Sequence, residues 1–568
     1  MKKQTLFSIL AAAVVIICGF ATSCSTESEG AKANKEVLND TFVFYANLGE
    51  INKKGGFDEL LTESNRRLLA TVIASSSEGA DYEEYAMKLL ADPSASGVNY
   101  DTPIYGYLNI EDGSISLAIV ADVENAENVD KFIAFLEEMS GESVGAVRKG
   151  DVRQFSVEDW HIAYNNSRLV AVADESLDYG DSPNKVIAKA LNRPDADLSA
   201  YEKYDIAYSV NIKKLVDILI TDKQRRLDYS YEYLVACDEW EREWEMEYIN
   251  SLEKEIEMLK NSTKDFEENA RATIGITSKA GRIVAEMSVD GYNSEYKLDK
   301  KVSNEFLEYV NNNALLVANL AVDGNMVSEI LDKYFTAEYA KELGLNRNEF
   351  NLYVGIASDA FKSINGDMTL AINDIKNKPY YGIEQINALM AVNVTDDYII
   401  SNVSMYGAGI LDSYGANCYG FNYDDTLIML GQKQDTLYLT VNNDFRTRSN
   451  SAASKAWVKD VENSHGYIVV DVDNVLKNDF IVSTFREEFE KDDYYYDDYY
   501  YEESKEDKIF NELAYKAIDK ISYIYLSITS PTSVELVVVM DDKQTNALKQ
   551  YVDLVKPYML TILASEAL

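Results

Sequence analysis

Histidine is nearly absent from this 568-residue chain, which has only His161 and His465. A histidine-rich metal site is therefore excluded, and any serine triad would have to recruit one of those two. Cysteine is almost as scarce: Cys18 and Cys24 lie at the start, and Cys237 and Cys418 lie far apart with no CxxC spacing, so no zinc or redox site is indicated. A Cys237–Cys418 disulfide and two buried free thiols both remain open. Basic residues are short as well, with Lys+Arg 54 against Asp+Glu 96 and a net charge of −42. Such a polyanion repels phosphate backbones, so no nucleic-acid partner is expected, nor docking on anionic headgroups through a basic patch. Cations, basic partners or plain solubility are what that charge can serve. No phosphate-cradling G-x-x-x-x-G-K-[ST] and no strand-linked G-x-G-x-x-G occurs.

The apolar run Leu6 to Phe20 is too short to span a bilayer, and it follows Lys2 and Lys3. A positive start, a short apolar core and the small residues Ala21-Thr22-Ser23 before Cys24 have the layout of a signal peptide over 1–23. The small residues ending in cysteine resemble the lipobox of bacterial lipoproteins. That resemblance implies diacylglycerol on the Cys24 sulfur, cleavage before it and acylation of the new amino terminus. Residues 24–36 are small, polar and charged and should behave as a tether. Ser25 after the cysteine resembles an outer-membrane sorting context, and Glu27 and Glu29 resemble a weak surface-export signal. The expected location is the outer membrane, lipid-anchored, with the body facing the periplasm or exposed on the cell surface.

Hydrophobic content of 46% and charged content of 26% are those of a folded globular body. The chain repeats itself. Phe44 to Leu48 matches Leu316 to Leu320, and Trp160 to Tyr164 with Leu169 to Ala173 matches Leu427 to Leu430 with Leu437 to Val441. Tyr208 to Ile212 matches Ile468 to Val472. Ile276-Thr277-Ser278 with Ile283 to Val289 matches Ile528-Thr529-Ser530 with Val534 to Met540. The order is the same, so the reading is a tandem duplication with halves 37–310 and 314–560. Each half reads as two strand–helix, hairpin–helix units. Hairpins are predicted at Ile104 to Val120, Ile274 to Val289 and Ile524 to Met540, with closing helices at Asn128 to Met139, Val302 to Val310 and Asn546 to Leu563. The fold class is α+β: antiparallel sheets with helices on one face.

Two insertions break the plan. Residues 221–270 read as one or two acidic helices, with Tyr233, Cys237, Trp240, Trp244, Tyr248, Leu252, Ile256 and Leu259 on one face, and Trp240/Trp244 in a helix–helix core. Residues 486–507 are a Tyr/Asp-rich stretch without apolar period, expected to be a mobile loop or projecting arm. Its Tyr494, Tyr495, Tyr496, Tyr499, Tyr500 and Tyr501 are the candidate ligand-binding residues, since tyrosines stack on sugar rings or a partner's arginines. Its carboxylates could hold calcium, but the glycine of an EF-hand loop is missing.

Gly141-Glu142-Ser143-Val144-Gly145 fits the nucleophile-elbow pattern, yet a helix rather than a strand precedes Ser143, so it reads as a loop. Asn47, Asn211, Asn319 and Asp471 stand at strand-to-helix switches and read as helix caps, Asn47 with Glu50 at capping-box spacing. Asp425-Thr426-Leu427 and Asp435-Thr436-Leu437 resemble envelope O-glycosylation acceptors.

The lipobox, Tyr45 to Leu48 with Ile51 to Gly56, and Phe361 to Ile372 together resemble a family of Bacteroides-type lipoproteins whose domain has no assigned function. Its motifs are packing patterns, so the resemblance implies no catalytic residues, metal or cofactor. The expectation is a membrane-anchored exported lipoprotein, non-catalytic, that binds or scaffolds in the cell envelope. Its partners would be the membrane through lipid at Cys24 and an envelope protein or glycan. The alternatives are a carboxylate-dependent glycan-acting enzyme, or a cation-binding surface protein using the acidic Tyr/Asp loop.

Overall fold

The computed structural model describes residues 36–558, apart from 39, 61, 76–80, 112–113, 141–142, 158–159, 174–182, 294–296, 335–345, 378–383, 408, 424–425, 444–450 and 491–504. Cys24, its tether up to residue 35 and the six candidate tyrosines of the acidic arm lie outside the described residues, and Glu36, expected in the tether, begins a strand. The chain divides into two compact units, Met1–Ser294 with Lys543–Leu568, and Glu295–Asp542. Both are mixed α+β with antiparallel sheets.

In the first unit the strands are β1 (Glu36–Val37), β2 (Phe42–Ala46), β3 (Ile104–Glu111), β4 (Ser114–Asp122), β5 (Val147–Lys149), β6 (Val152–Val157), β7 (Trp160–Tyr164), β8 (Arg168–Ala173), β9 (Ala196–Asp197), β10 (Ile206–Asn211), β11 (Phe266–Lys279) and β12 (Arg282–Tyr292). Apart from a short parallel pair, β1 with β9, they form one antiparallel sheet ordered β12-β11-β10-β2-β3-β4-β8-β7-β6-β5. The second unit contains β13 (Leu316–Asp323), β14 (Ile364–Asn377), β15 (Glu384–Val394), β16 (Asp412–Gly415), β17 (Cys418–Tyr423), β18 (Thr426–Lys433), β19 (Thr436–Val441), β20 (Gly466–Asp471), β21 (Ile521–Ser530) and β22 (Ser533–Met540). Their order is β22-β21-β20-β13-β14-β15-β19-β18-β17-β16, again antiparallel. Strand for strand, the two orders are the same.

All three expected hairpins form, as β3/β4, β11/β12 and β21/β22. The turn of β11/β12 needs Gly281 because its φ is +63°, a conformation that costs a residue with a Cβ about 1–2 kcal/mol. Alternation in these strands buries one face. In the first unit Val43, Tyr45, Tyr105, Val120, Val170, Val172 and Ala207 make a core with Ile187 and Ala190 from the helix Pro183–Leu191.

Helices do not keep to one face. Ala121 pairs with Leu169 on the side opposite Val120 and Val170, and there Leu169, Tyr164 and Phe155 pack with Val129 and Ile133 of the helix Ala126–Ser140. The helix Tyr398–Tyr406 of the second unit repeats this, with Ile400 against Leu437, Leu430 and Tyr419. Apolar spacing showed that each helix had one face to bury, not which side of a sheet would receive it.

Two helix expectations change. Val302 to Val310 is not a helix: only Glu305–Glu308 turns, as a 3-10 segment. Val302, Phe306, Leu307 and Val310 are all buried as their spacing requires. However, Asn304 takes a left-handed φ of +62°, which breaks an α-helix at its start. The last helix runs Ala547–Val555 rather than to 563, ending just before Pro557. It belongs to the first unit, where Val552 packs with Leu60, Ala70 and Phe135.

Of the four repeated polar residues, Asn47, Asn211 and Asp471 are N-caps, accepting from the amides of Glu50, Lys214 and Asn474 at 3.0, 2.9 and 3.1 Å. Each cap stabilises its helix by about 1 kcal/mol. Asn319 is not a cap. It lies inside β13, and Asp323 instead accepts from Asn325 and Met326. Strand pairing explains the slip. Asn319 faces Tyr467, the second residue of β20, whereas the residue facing Ala207, the second of β10, is Tyr45. A two-residue shift preserves which face is buried, so apolar pattern alone could not detect it.

Candidate interaction surfaces

The most unusual surface of each unit is the open side of its sheet. In the first unit, register places Met287, Ile274, Tyr208, Phe44, Gly106 and Ile119 in one row across β12-β11-β10-β2-β3-β4. Flanking rows are Ala285, Ile276, Ile206, Ala46 and Ile104 on one side, and Val289, Ala272, Val210, Phe42, Leu108 and Leu117 on the other. None of these side chains is charged. Yet Phe44, Ile119, Ile206, Tyr208, Ile274, Ile276 and Met287 are 38–46% exposed. With large side chains of roughly 200 Å², that leaves ~500 Å² of contiguous apolar surface, in the upper part of the range of a monomer's largest apolar patch, which is often functional.

The second unit has the same feature at the same register: Leu536, Leu526, Ile468, Ala318, Leu370 and Met390 form a row, with Leu370, Ile468 and Leu536 the most open. In a chain with net charge −42, charge-free sheet faces of this width are not a by-product of composition.

A second surface is the helical pair Ile212–Ala236 and Glu241–Ser262. Leu227, Ile249, Leu252 and Ile256 hold the two helices together. The long aromatic stripe expected along one helix is broken at Cys237–Trp240, where the chain turns. Cys237 stays buried at that turn, but Trp240 and Trp244 are 70% and 72% exposed and do not pack between the helices. Aliphatic residues two turns further along do that work. Tyr229, Tyr233 and Tyr248, with Arg225, Arg226, Ser230 and Glu245, line an open groove of about 540 Å³.

The two arginines of the groove are committed to Asp222, at 2.7 and 2.9 Å, which lowers that carboxyl below its usual range. Around the turn the field is negative. A hydrogen bond to Glu241, then the charges of Glu241 and Glu245, raises the Tyr233 phenol above its ordinary value.

Other expected centres are structural. Ser143 donates to Glu137 at 2.9 Å in a loop after the helix Ala126–Ser140. His161 meets Ser156 at 2.7 Å as a cross-strand pair, and the buried His465 sits 2.6 Å from the Lys300 carbonyl. Cys237 and Cys418 are both free and buried. Among the described residues no group of three or more His, Cys, Asp or Glu is placed to hold a metal ion, and no helix is long and apolar enough to cross a membrane.

A buried polar network escaped the sequence reading. Asp367, 3% exposed on β14, accepts from the amides of Ser303 and Asn304 at 2.9 and 2.8 Å and from Asn319 Nδ2 at 3.0 Å. Tyr467 donates to Asn304 Oδ1 at 2.7 Å, and burial raises its phenol pKa. Its members are scattered over 165 positions of sequence, and no local spacing links them.

Fold and surfaces thus define an α+β protein built on antiparallel sheets with apolar faces left open. A family model described as a domain of unknown function, DUF4836, matches residues 37–477, and the chain belongs to that family. No curated protein and no solved structure matches it.

Proposed function

We propose that this chain is an exported lipoprotein, held at the outer membrane through lipid on Cys24, whose body is a non-catalytic binding or scaffolding module of the cell envelope. We further infer that its two units are copies of one ancestral unit. The observation that carries the binding reading is the charge-free sheet face, present in both units at corresponding register. Such a face is useful when covered and a liability when bare. Lipid at Cys24 and the polar residues 24–36 would hold that face at a fixed reach from a bilayer.

The test places a photo-crosslinking residue at Phe44 or Ile468 in cells, with exposed Lys279 as control, and follows membrane association of Cys24→Ser. The expected result is a discrete adduct from the sheet positions only and release of the Cys24→Ser protein from membranes. Equal labelling at Lys279, or a Cys24→Ser protein that partitions as the parent does, overturns the reading.

A further inference from the structure

We propose that the turn of the helical pair is a docking site for an arginine-rich segment of a protein partner. This rests on the binding reading above but uses a different surface. Trp240 is the N-cap of the second helix, with α-region backbone angles, and Trp244 stands one turn further on, a spacing that puts both on one side of the helix start. They are 70% and 72% exposed, and indoles left that open are rare without a partner.

Charge identifies the partner. Residues Asp238 to Glu247 hold six carboxylates and one guanidinium, Arg242, a net of −5. Among the described residues no lysine or arginine forms an ion pair with Glu243, which precedes Trp244, or with Glu247, three positions after it. A hydrogen bond to Glu241 of this segment, together with that residue's charge, raises the Tyr233 phenol above its ordinary value. A flat cation seated on an indole face with a carboxylate beside it satisfies both features at once. Guanidinium does this better than ammonium, because it is planar, weakly hydrated and offers a fork of donors to the carboxylate.

The test is anisotropy of a labelled nona-arginine peptide titrated with the purified full chain at physiological salt, beside nona-lysine and a neutral Gly/Ser peptide. Removing both rings in the Trp240→Ala/Trp244→Ala variant leaves the net charge unchanged and should leave the melting temperature unchanged, since both rings are mostly solvated. It should weaken nona-arginine binding about tenfold, and nona-lysine should bind several-fold more weakly than nona-arginine to the parent. Glu243→Gln/Glu247→Gln should weaken binding, whereas the charge-matched Asp101→Asn/Asp151→Asn should not. Equal affinity of parent and double-tryptophan variant would show only generic attraction of a polycation to an acidic protein and would overturn the proposal. So would equal binding of the two cationic peptides. Neither result bears on the sheet face.

Discussion

Asp367→Ala is the most informative single substitution. The carboxylate sits 3% exposed and holds the Ser303 and Asn304 amides, the Ser303 hydroxyl and the Asn319 side-chain amide. Two of those donors are backbone N–H groups that cannot rotate toward another acceptor, and Asn304 is fixed in a left-handed conformation. Each buried donor left unpaired costs about 1–3 kcal/mol, and removing the charge's own desolvation cost offsets part of this. The expected net loss is about 3–5 kcal/mol, a large share of a typical domain's stability. Trp457 is 2% exposed and its ring centroid lies 6.1 Å from that of Tyr467, so its fluorescence reports the second unit. In a Trp160→Phe/Trp240→Phe/Trp244→Phe background, which leaves Trp457 as the single tryptophan, urea unfolding followed by that signal should shift to markedly lower midpoint. Asp367→Asn should recover only part of the loss, because its NH₂ group would face donors. A loss below about 1 kcal/mol for Asp367→Ala would refute the claim that this carboxylate pins the 303–310 segment.

Gly275→Val should destabilise the first unit by about 1–3 kcal/mol in urea unfolding followed through Trp160 of that unit, since an added Cβ meets the Tyr204 ring at 2.3 Å. Cys237 and Cys418 should both resist a thiol reagent in the native protein and react together on unfolding, with no mass change on reduction; rapid labelling of either would contradict its burial. Burial pushes Tyr105 up to about 12. A folded pKa above the unfolded value of about 10 contributes stability below pH 10 that is lost as pH rises from 10 through 12, so absorbance at 295 nm should show this phenol ionising only with alkaline unfolding.

What could be read from sequence was whatever depends on neighbours along the chain. Apolar alternation and turn residues located β3/β4, β11/β12 and β21/β22, and the short acceptor before a helical pattern located the caps at Asn47, Asn211 and Asp471. What could not be read depends on the third dimension. Val302, Phe306, Leu307 and Val310 have helical spacing and are buried, yet a carboxylate 60 residues downstream holds their segment out of a helix. Trp240 and Trp244 continue an apolar period past the point where the chain turns, and so lose the helix that would have covered them. The open sheet faces lay hidden because strands buried on both sides and strands with one bare apolar side have the same composition.

The two units separate what the scaffold needs from what the surface does. At the buried position facing the second residue of β10 stands Tyr45, stacked on Tyr201 at 6.0 Å in an aromatic core. At the corresponding position in β13 stands Asn319, bonded into the Asp367 network. At this one position the covered faces differ in chemistry, aromatic in the first unit and polar in the second. The open faces do not: both rows remain aliphatic or aromatic from edge to centre, with no acid or base in either. Stability alone predicts the opposite, because a solvent-facing side of an antiparallel sheet is where polar substitution costs least. On the proposed reading of the units as copies of one ancestor, an interior that changed beneath an exterior that stayed apolar is what a constraint from a covering partner would leave.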